Sequence, residues 1–312
     1  MRRRGFVFSV LAASAFPPIS PAAGQTRLKV VASFSILGDM VREVGGERIE
    51  LTVLVGPDQD AHAYQPTPAD ARAVAAARVL VVNGLGFEGW IDRLARSAPF
   101  RGSRVVASQG VADPLRMAQE AHEGQSTRRA QRPARAVPDP HCWQDLANGR
   151  LYVRNIAAGL SEADPANAAF YRERAAAYDQ RLAALDIWVR QQIAIVPADK
   201  RKVITGHDAF GYFGRAYGVA FHAPTGISTD EEPSAREVAA LIRLIRSERI
   251  KAIFIENMSN PRLVEQIARD AGGVVGPRLY VDALSRPGGP AGTYEAMFRH
   301  NVPALVAGML RN

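Results

Sequence analysis

Cysteine is almost missing from this chain: Cys142 is the only one in 312 residues. An intramolecular disulfide is therefore excluded, and the fold must rest on its own core. A zinc site built on two or more cysteines is excluded for the same reason. Aromatic residues are sparse at 7%. The uncharged apolar run at residues 5–16 is too short to span a bilayer as a helix, which takes about 20 residues. What is present is ordinary for a globular protein: 47% hydrophobic and 22% charged residues, too apolar for a disordered chain. The length fits one large domain or two smaller ones.

Acidic residues are also in deficit, 31 against 39 Lys and Arg, leaving a formal charge of +8. The location of the surplus decides its meaning. Arg2, Arg3 and Arg4 precede the apolar run, and small residues follow in Pro21-Ala22-Ala23-Gly24. This is the pattern of a secretory signal peptide covering residues 1–24, with a weak twin-arginine character. No cysteine lies near the expected cleavage point, so the usual bacterial lipid anchor is not expected, and a soluble periplasmic product is. Removing residues 1–24 takes away three arginines and no acid, so the charge falls to +5. A second cluster, Arg116, Arg128, Arg129, Arg132 and Arg135, sits in the Gln-, Ala- and Pro-rich segment 115–138. That segment lacks apolar periodicity and reads as a loop. It contains no Phe, Trp or Tyr, so it lacks the aromatic interleaving of a nucleic-acid surface. No nucleic-acid partner is expected.

The rest alternates short β-branched runs with longer amphipathic ones. Strands are expected at 28–34, 50–55, 79–83 and 104–107, and again at 202–205, 219–222, 252–256 and 274–281. Helical patterns lie between them, for example at 67–76, 234–247 and 261–271. Thr67-Pro68 and Asn260-Pro261 each place a capping side chain before a proline at the first helical position. Alternation of this kind implies parallel sheets built from βαβ units. Between the halves runs one long helical pattern, 165–195, with Asp164-Pro165 at its start and Pro197 past its end. At 1.5 Å per residue it would extend about 46 Å. The alternative is a pair of helices broken near Asp186. The expected fold is α/β: an N-terminal lobe over 25–163, a linking helix over 164–197 and a C-terminal lobe over 198–312.

Of the six histidines, His62, His141 and His207 lie in loop-like surroundings. His62 and His207 follow expected strands, and Asp282 closes another. In open α/β sheets, ligands bind beyond the carboxyl ends of the strands. Three imidazoles and one carboxylate suit a borderline divalent cation such as Zn2+. Their separations of 79, 66 and 75 residues carry no local ligand signature, and a single histidine is ordinarily a polar surface or core residue.

The surrounding words add what spacing lacks. Asp60-Ala61-His62-Ala63-Tyr64-Gln65-Pro66-Thr67-Pro68-Ala69-Asp70, Asp139-Pro140-His141-Cys142-Trp143 and Thr205-Gly206-His207-Asp208-Ala209-Phe210-Gly211-Tyr212-Phe213 resemble three ligand motifs of the periplasmic zinc- and manganese-binding receptors of ABC importers, the cluster A-I family. Ile227-Ser228-Thr229-Asp230-Glu231-Glu232-Pro233-Ser234-Ala235 resembles a further family signature, and Tyr280-Val281-Asp282-Ala283-Leu284 the segment carrying the carboxylate ligand. The matches cover the mature chain in order. The resemblance implies two α/β lobes joined by a rigid helix, with His62, His141, His207 and Asp282 holding a metal between them. It implies a receptor, not an enzyme: a periplasmic, monomeric protein that delivers its ion to an inner-membrane ABC permease, with a periplasmic metallochaperone as a further candidate partner. The third imidazole favours zinc, with Mn2+ or Fe2+ as alternatives. A zinc hydrolase with Glu256 as general base is the competing reading, but the chain has no H-E-x-x-H motif.

Lesser expectations complete the set. Glu256 is a candidate to orient a ligand imidazole, Asp208 to cap the following helix, and Cys142 to pack. His122, in the basic loop, is a candidate capture ligand against a bland reading as a solvated side chain. His222 and His300 have no supporting pattern.

Overall fold

The computed structural model describes residues 26–118, 136–230 and 232–312. His122 and most of the basic loop lie outside them. Through the first half run β1 (Leu28–Phe34), α1 (Ser35–Gly45), β2 (Ile49–Val55), α2 (Pro68–Ala76), β3 (Val79–Val82), α3 (Ile91–Ser97) and β4 (Ser103–Val106). Then come β5 (Arg116–Ala118), β6 (Ala136–Pro138), α4 (Leu146–Ala163) and α5 (Ala168–Ala194). The second half holds β7 (Lys202–Ile204), α6 (Gly211–Tyr217), β8 (Ala220–His222), α7 (Ala235–Glu248), β9 (Ala252–Ile253), α8 (Arg262–Ala271), β10 (Val274–Val275) and α9 (Tyr294–Met309).

Two four-stranded parallel sheets result, in the orders β2-β1-β3-β4 and β10-β9-β7-β8. One is built before α5 and the other after it. The α/β expectation therefore holds. The inner strand β3, Val79–Val82, is buried at every position, as a parallel strand covered on both faces should be. Capping boxes start α2 (Thr67 with Asp70) and α7 (Ser234 with Glu237).

The long middle helix is continuous through Asp186. A single 3-10 turn, Pro165–Asn167, precedes α5, whose 27 residues span about 40 Å. Its buried residues, Tyr171, Ala175, Tyr178, Leu182, Leu185, Val189 and Ile193, recur every three or four positions and form one stripe. α4 lies along it, tied by Arg150 and Arg154 to Asp179. Arg181 of α5 reaches Glu43 of α1 and Glu295 of α9, so the helix is fastened to both halves. One hydrophobic core runs through both sheets, including Phe34, Trp143, Tyr178, Phe213 and Phe254. A satellite core of Ile204, Leu241, Ile245, Ile253 and Ile267 lies under α7 and α8.

Four expectations need correction. The strand expected at 274–281 is regular only over Val274–Val275; Gly276-Pro277 interrupts it, because proline cannot donate to a ladder. A single parallel bridge between Glu256 and Leu279 resumes the direction further on, so the strand expected at 252–256 is likewise short. The segment 115–138 is not loop at both ends: Arg116–Ala118 and Ala136–Pro138 pair as an antiparallel ribbon. Finally, Asp208 caps no helix; α6 starts after Phe210 with no side-chain cap, and the Asp208 backbone N–H donates to the Gly226 carbonyl at 3.1 Å.

Candidate metal centre

Each of the four singled-out residues reaches one point by a different local device. His62 follows β2 through an irregular segment. There Gly56 donates to Gln59 Oε1 at 2.8 Å and the His62 backbone N–H donates to Asp60 Oδ1 at 2.9 Å. Trp90 holds the Ala61 carbonyl from beneath at 2.8 Å, and the Phe87 ring meets the His62 imidazole edge-on at 4.6 Å. The segment is moored to the second half at two points. Asp58, in the left-handed region at φ 55°, accepts from Asn257 Nδ2 at 2.9 Å and donates its N–H to the Leu284 carbonyl at 3.0 Å. Asp60 Oδ2 accepts the Thr229 hydroxyl at 2.6 Å.

His141 sits between β6 and a 3-10 turn, Cys142–Gln144. Asn83 Nδ2 donates to the Pro140 carbonyl at 2.9 Å, and Asn83 Oδ1 accepts from the buried Tyr152 hydroxyl at 2.6 Å. His207 lies just beyond the carboxyl end of β7, where strand ladders open toward ligands. Asp282 follows the Leu279 bridge. The carbonyl of its neighbour Val281 accepts from both Trp143 Nε1 and Gln144 Nε2 at 3.1 Å. Thus the chain around His141 grips the chain around Asp282.

The four side chains converge, with one donor atom from each lying within 4.8 Å of the others. His62 Nε2 is 3.3 Å from His141 Nε2. Asp282 Oδ2 is 3.0 Å from His207 Nε2 and 3.5 Å from His62 Nε2, and Oδ1 is 3.7 Å from His141 Nε2. Donors of a tetrahedral site with bonds of about 2.0–2.1 Å stand about 3.3 Å apart. The spacing therefore matches donors aimed at one small cation. His141, His207 and Asp282 are fully buried and His62 partly so. His207 Nε2 and both Asp282 oxygens are buried without a hydrogen-bond partner among the described residues. Such atoms are costly unless something coordinates them.

Two imidazoles are gripped from behind. His141 Nδ1 is 2.8 Å from Asp139 Oδ1, which also accepts the His141 backbone N–H at 2.9 Å. His207 Nδ1 is 2.6 Å from Glu256 Oε2. Burial by itself depresses the His207 imidazole, but the Glu256 and Asp282 carboxylates outweigh it and hold His207 well above the ordinary range. Burial alone would raise Asp282, yet the facing His207 and His141 keep it well below the carboxylate range.

The other candidates fall away. Cys142 is buried, stands outside the cluster and turns its thiol to the Asp139 carbonyl at 3.9 Å; burial pushes that thiol up to about 12, against any ligand role. His222 ends β8, and His300 Nε2 is bonded to the Arg278 carbonyl at 2.9 Å. Sequence reasoning gave no role to Asp139, Phe87, Trp143 or Gln144. Asp139 had a readable signal, an acid two residues before a singled-out histidine; the others contribute through contacts far apart in the chain.

Residues 30–308 match the family model described as zinc-uptake complex component A, periplasmic. The manganese-binding lipoprotein MntA of Halalkalibacterium halodurans is 33% identical over 282 residues, covering 90% of this chain and 88% of its own. The manganese ABC transporter substrate-binding lipoprotein PsaA of Streptococcus pneumoniae is 29% identical over 97% of this chain and 95% of its own. Among solved structures, the periplasmic zinc-binding protein TroA of Treponema pallidum superposes with a TM-score of 0.82 at 30% identity, covering 92% of this chain and 100% of its own. A manganese-bound periplasmic metal-binding protein of Candidatus Liberibacter asiaticus gives 0.77 at 27% identity, over 91% and 100%. Across nearly its whole described length, this chain belongs to the periplasmic zinc-uptake component A family of metal receptors.

Proposed function

We propose that the protein is the extracytoplasmic receptor of an ABC-type metal importer, that its cargo is Zn2+, and that His62, His141, His207 and Asp282 are the ligands. The observation that carries this reading is the convergence of three Nε2 atoms on a carboxylate whose oxygens have no hydrogen-bond partner among the described residues. Four protein donors close a tetrahedral shell and leave no position for a reactive water, as in a binding site and unlike a hydrolase. In this reading residues 25–163 and 198–312 are lobes linked by 164–197, the leader at 1–24 is removed on export, and the monomeric product meets an inner-membrane permease, with a periplasmic metallochaperone as metal donor.

The choice of zinc rests on donor chemistry. Three imidazoles and one carboxylate favour a borderline ion over Mn2+, which prefers more oxygen. The relatives are named for both metals, so the test is direct. Metal analysis of protein purified from the periplasm, followed by competition titration, should find zinc bound at one per chain and displacing manganese. Manganese displacing zinc at equal concentration would move the assignment to manganese. X-ray absorption at bound zinc should find three nitrogen donors and carboxylate oxygen; a bound water with only three protein donors would favour the hydrolase.

A further inference from the structure

Glu256 makes more contacts with the His207 turn than a strand-end charge needs. The carboxylate is fully buried, and among the described residues its hydrogen bonds run to two adjacent residues. Oε1 accepts the backbone N–H groups of Gly206, at 2.8 Å, and of His207, at 3.0 Å. Oε2 lies 2.6 Å from His207 Nδ1. A carboxylate facing Nδ1 is an acceptor, so Nδ1 must carry the proton. A neutral imidazole has one proton, and Nε2 is then left with its lone pair free. That nitrogen faces Asp282 Oδ2 at 3.0 Å, with no hydrogen-bond partner among the described residues.

We propose that Glu256 is the positioning residue that selects the His207 tautomer, fixing the single proton of the neutral ring on Nδ1 so that Nε2 is presented to the cation. This rests on the reading of His207 as a ligand. The design depends on Glu256 being an acceptor at both oxygens, because its three donors all point inward. Asp139 behind His141 differs in this respect. A single oxygen, Oδ1, takes both His141 donors, and Oδ2 has no partner among the described residues. An amide at residue 139 can keep its oxygen on both donors. An amide at residue 256 cannot: with its oxygen on the two backbone N–H groups, its NH2 must donate to His207 Nδ1. The imidazole then carries its proton on Nε2, where it blocks coordination.

Glu256→Gln is nearly isosteric and fully hydrogen-bonded in that arrangement, so a merely structural role leaves cation binding unaltered. Tautomer selection instead lowers affinity by about 10- to 100-fold, the range for partners behind a metal-bound histidine. The experiment uses the full mature chain, stripped of metal, with zinc alone and manganese alone as probes. Nitrogen-15 NMR of the histidine rings at alkaline pH reads the tautomer directly. In the ion-free wild type, His207 should be the Nδ1–H form; in Glu256→Gln it should be the Nε2–H form, with weakened binding and an unchanged circular dichroism spectrum. Asp139→Asn should keep the His141 tautomer. Wild-type affinity and an Nδ1–H His207 in Glu256→Gln would overturn the proposal. His207→Ala is the separate control: if it binds zinc like wild type, the ligand assignment itself fails, whereas loss of zinc there beside a silent Glu256→Gln overturns only tautomer selection.

Discussion

Trp143 donates its indole N–H to the carbonyl of Val281 at 3.1 Å, across 138 residues of chain. That bond joins the segment carrying His141 to the one carrying Asp282, and Gln144 donates to the same carbonyl. The Trp143 ring is itself wedged between Phe34, at 5.2 Å, and Phe87, at 4.9 Å. The candidate cation site is thus braced by a core residue two positions from the proposed ligand His141.

Trp143→Phe should keep most of this packing and lose the bond. Loss of one buried hydrogen bond and some ring volume should cost about 1–3 kcal/mol of stability. Urea denaturation of the ion-free protein measures it. Zinc affinity should fall as well, because Asp282 loses part of its brace; an unchanged affinity would show that Gln144 holds Val281 unaided.

Cation binding should weaken in acid, because protons and metal compete for the same Nε2 lone pairs. His207 is held above the ordinary imidazole range, so it is protonated at higher pH than a free histidine. Binding is complete on the alkaline side and is lost as pH falls, with onset above the usual histidine value of about 6.5. Competition titrations across neutral pH check this; a midpoint near the carboxylate range would place the controlling proton on Asp282 instead.

Asp39 gives the fold a second pH dependence, remote from the site. Its buried carboxyl, which accepts the Tyr294 N–H at 2.8 Å, is pushed by burial up to about 6. The unfolded value is about 3.9. The native state therefore binds this proton more tightly, and the associated stability is full below pH ~4 and lost as pH rises through ~6. The loss is about 2–3 kcal/mol. Asp39→Asn keeps an oxygen acceptor for Tyr294 without the charge. It should raise the melting temperature at neutral pH and leave it nearly unchanged in acid. A lower melting temperature at both pH values would mean that the carboxylate is needed for packing.

Cation removal should destabilise the whole molecule, since the proposed donors come from both sides of α5. An ion bound only by the native state adds about 2.7 kcal/mol at a free concentration 100-fold above its Kd. Calorimetry with excess zinc and with a chelator should therefore differ by several degrees. The difference should vanish in His207→Ala.

Much of this was legible in order along the chain. Alternating β-branched and amphipathic runs determined the α/β class, because the two periodicities belong to different elements. Thr67-Pro68 determined where α2 begins, and Asp164-Pro165 with Pro197 bracketed the long helix, because capping and proline geometry are local. The words around His62, His141, His207 and Asp282 singled out those four residues before any geometry was known.

Tertiary structure alone decided what those residues can do together. Their separations of 66 to 79 positions carry no geometric information; only the meeting of the two sheet halves brings donor atoms within 4.8 Å. The Glu256 grip on His207 and the Trp143 bond to Val281 likewise depend on contacts across the fold. The physical reason is the same in each case. Periodicity and caps follow from neighbours within about one helical turn, whereas burial, hydrogen-bond pairing and the free lone pairs of a cation site exist only once distant segments have packed.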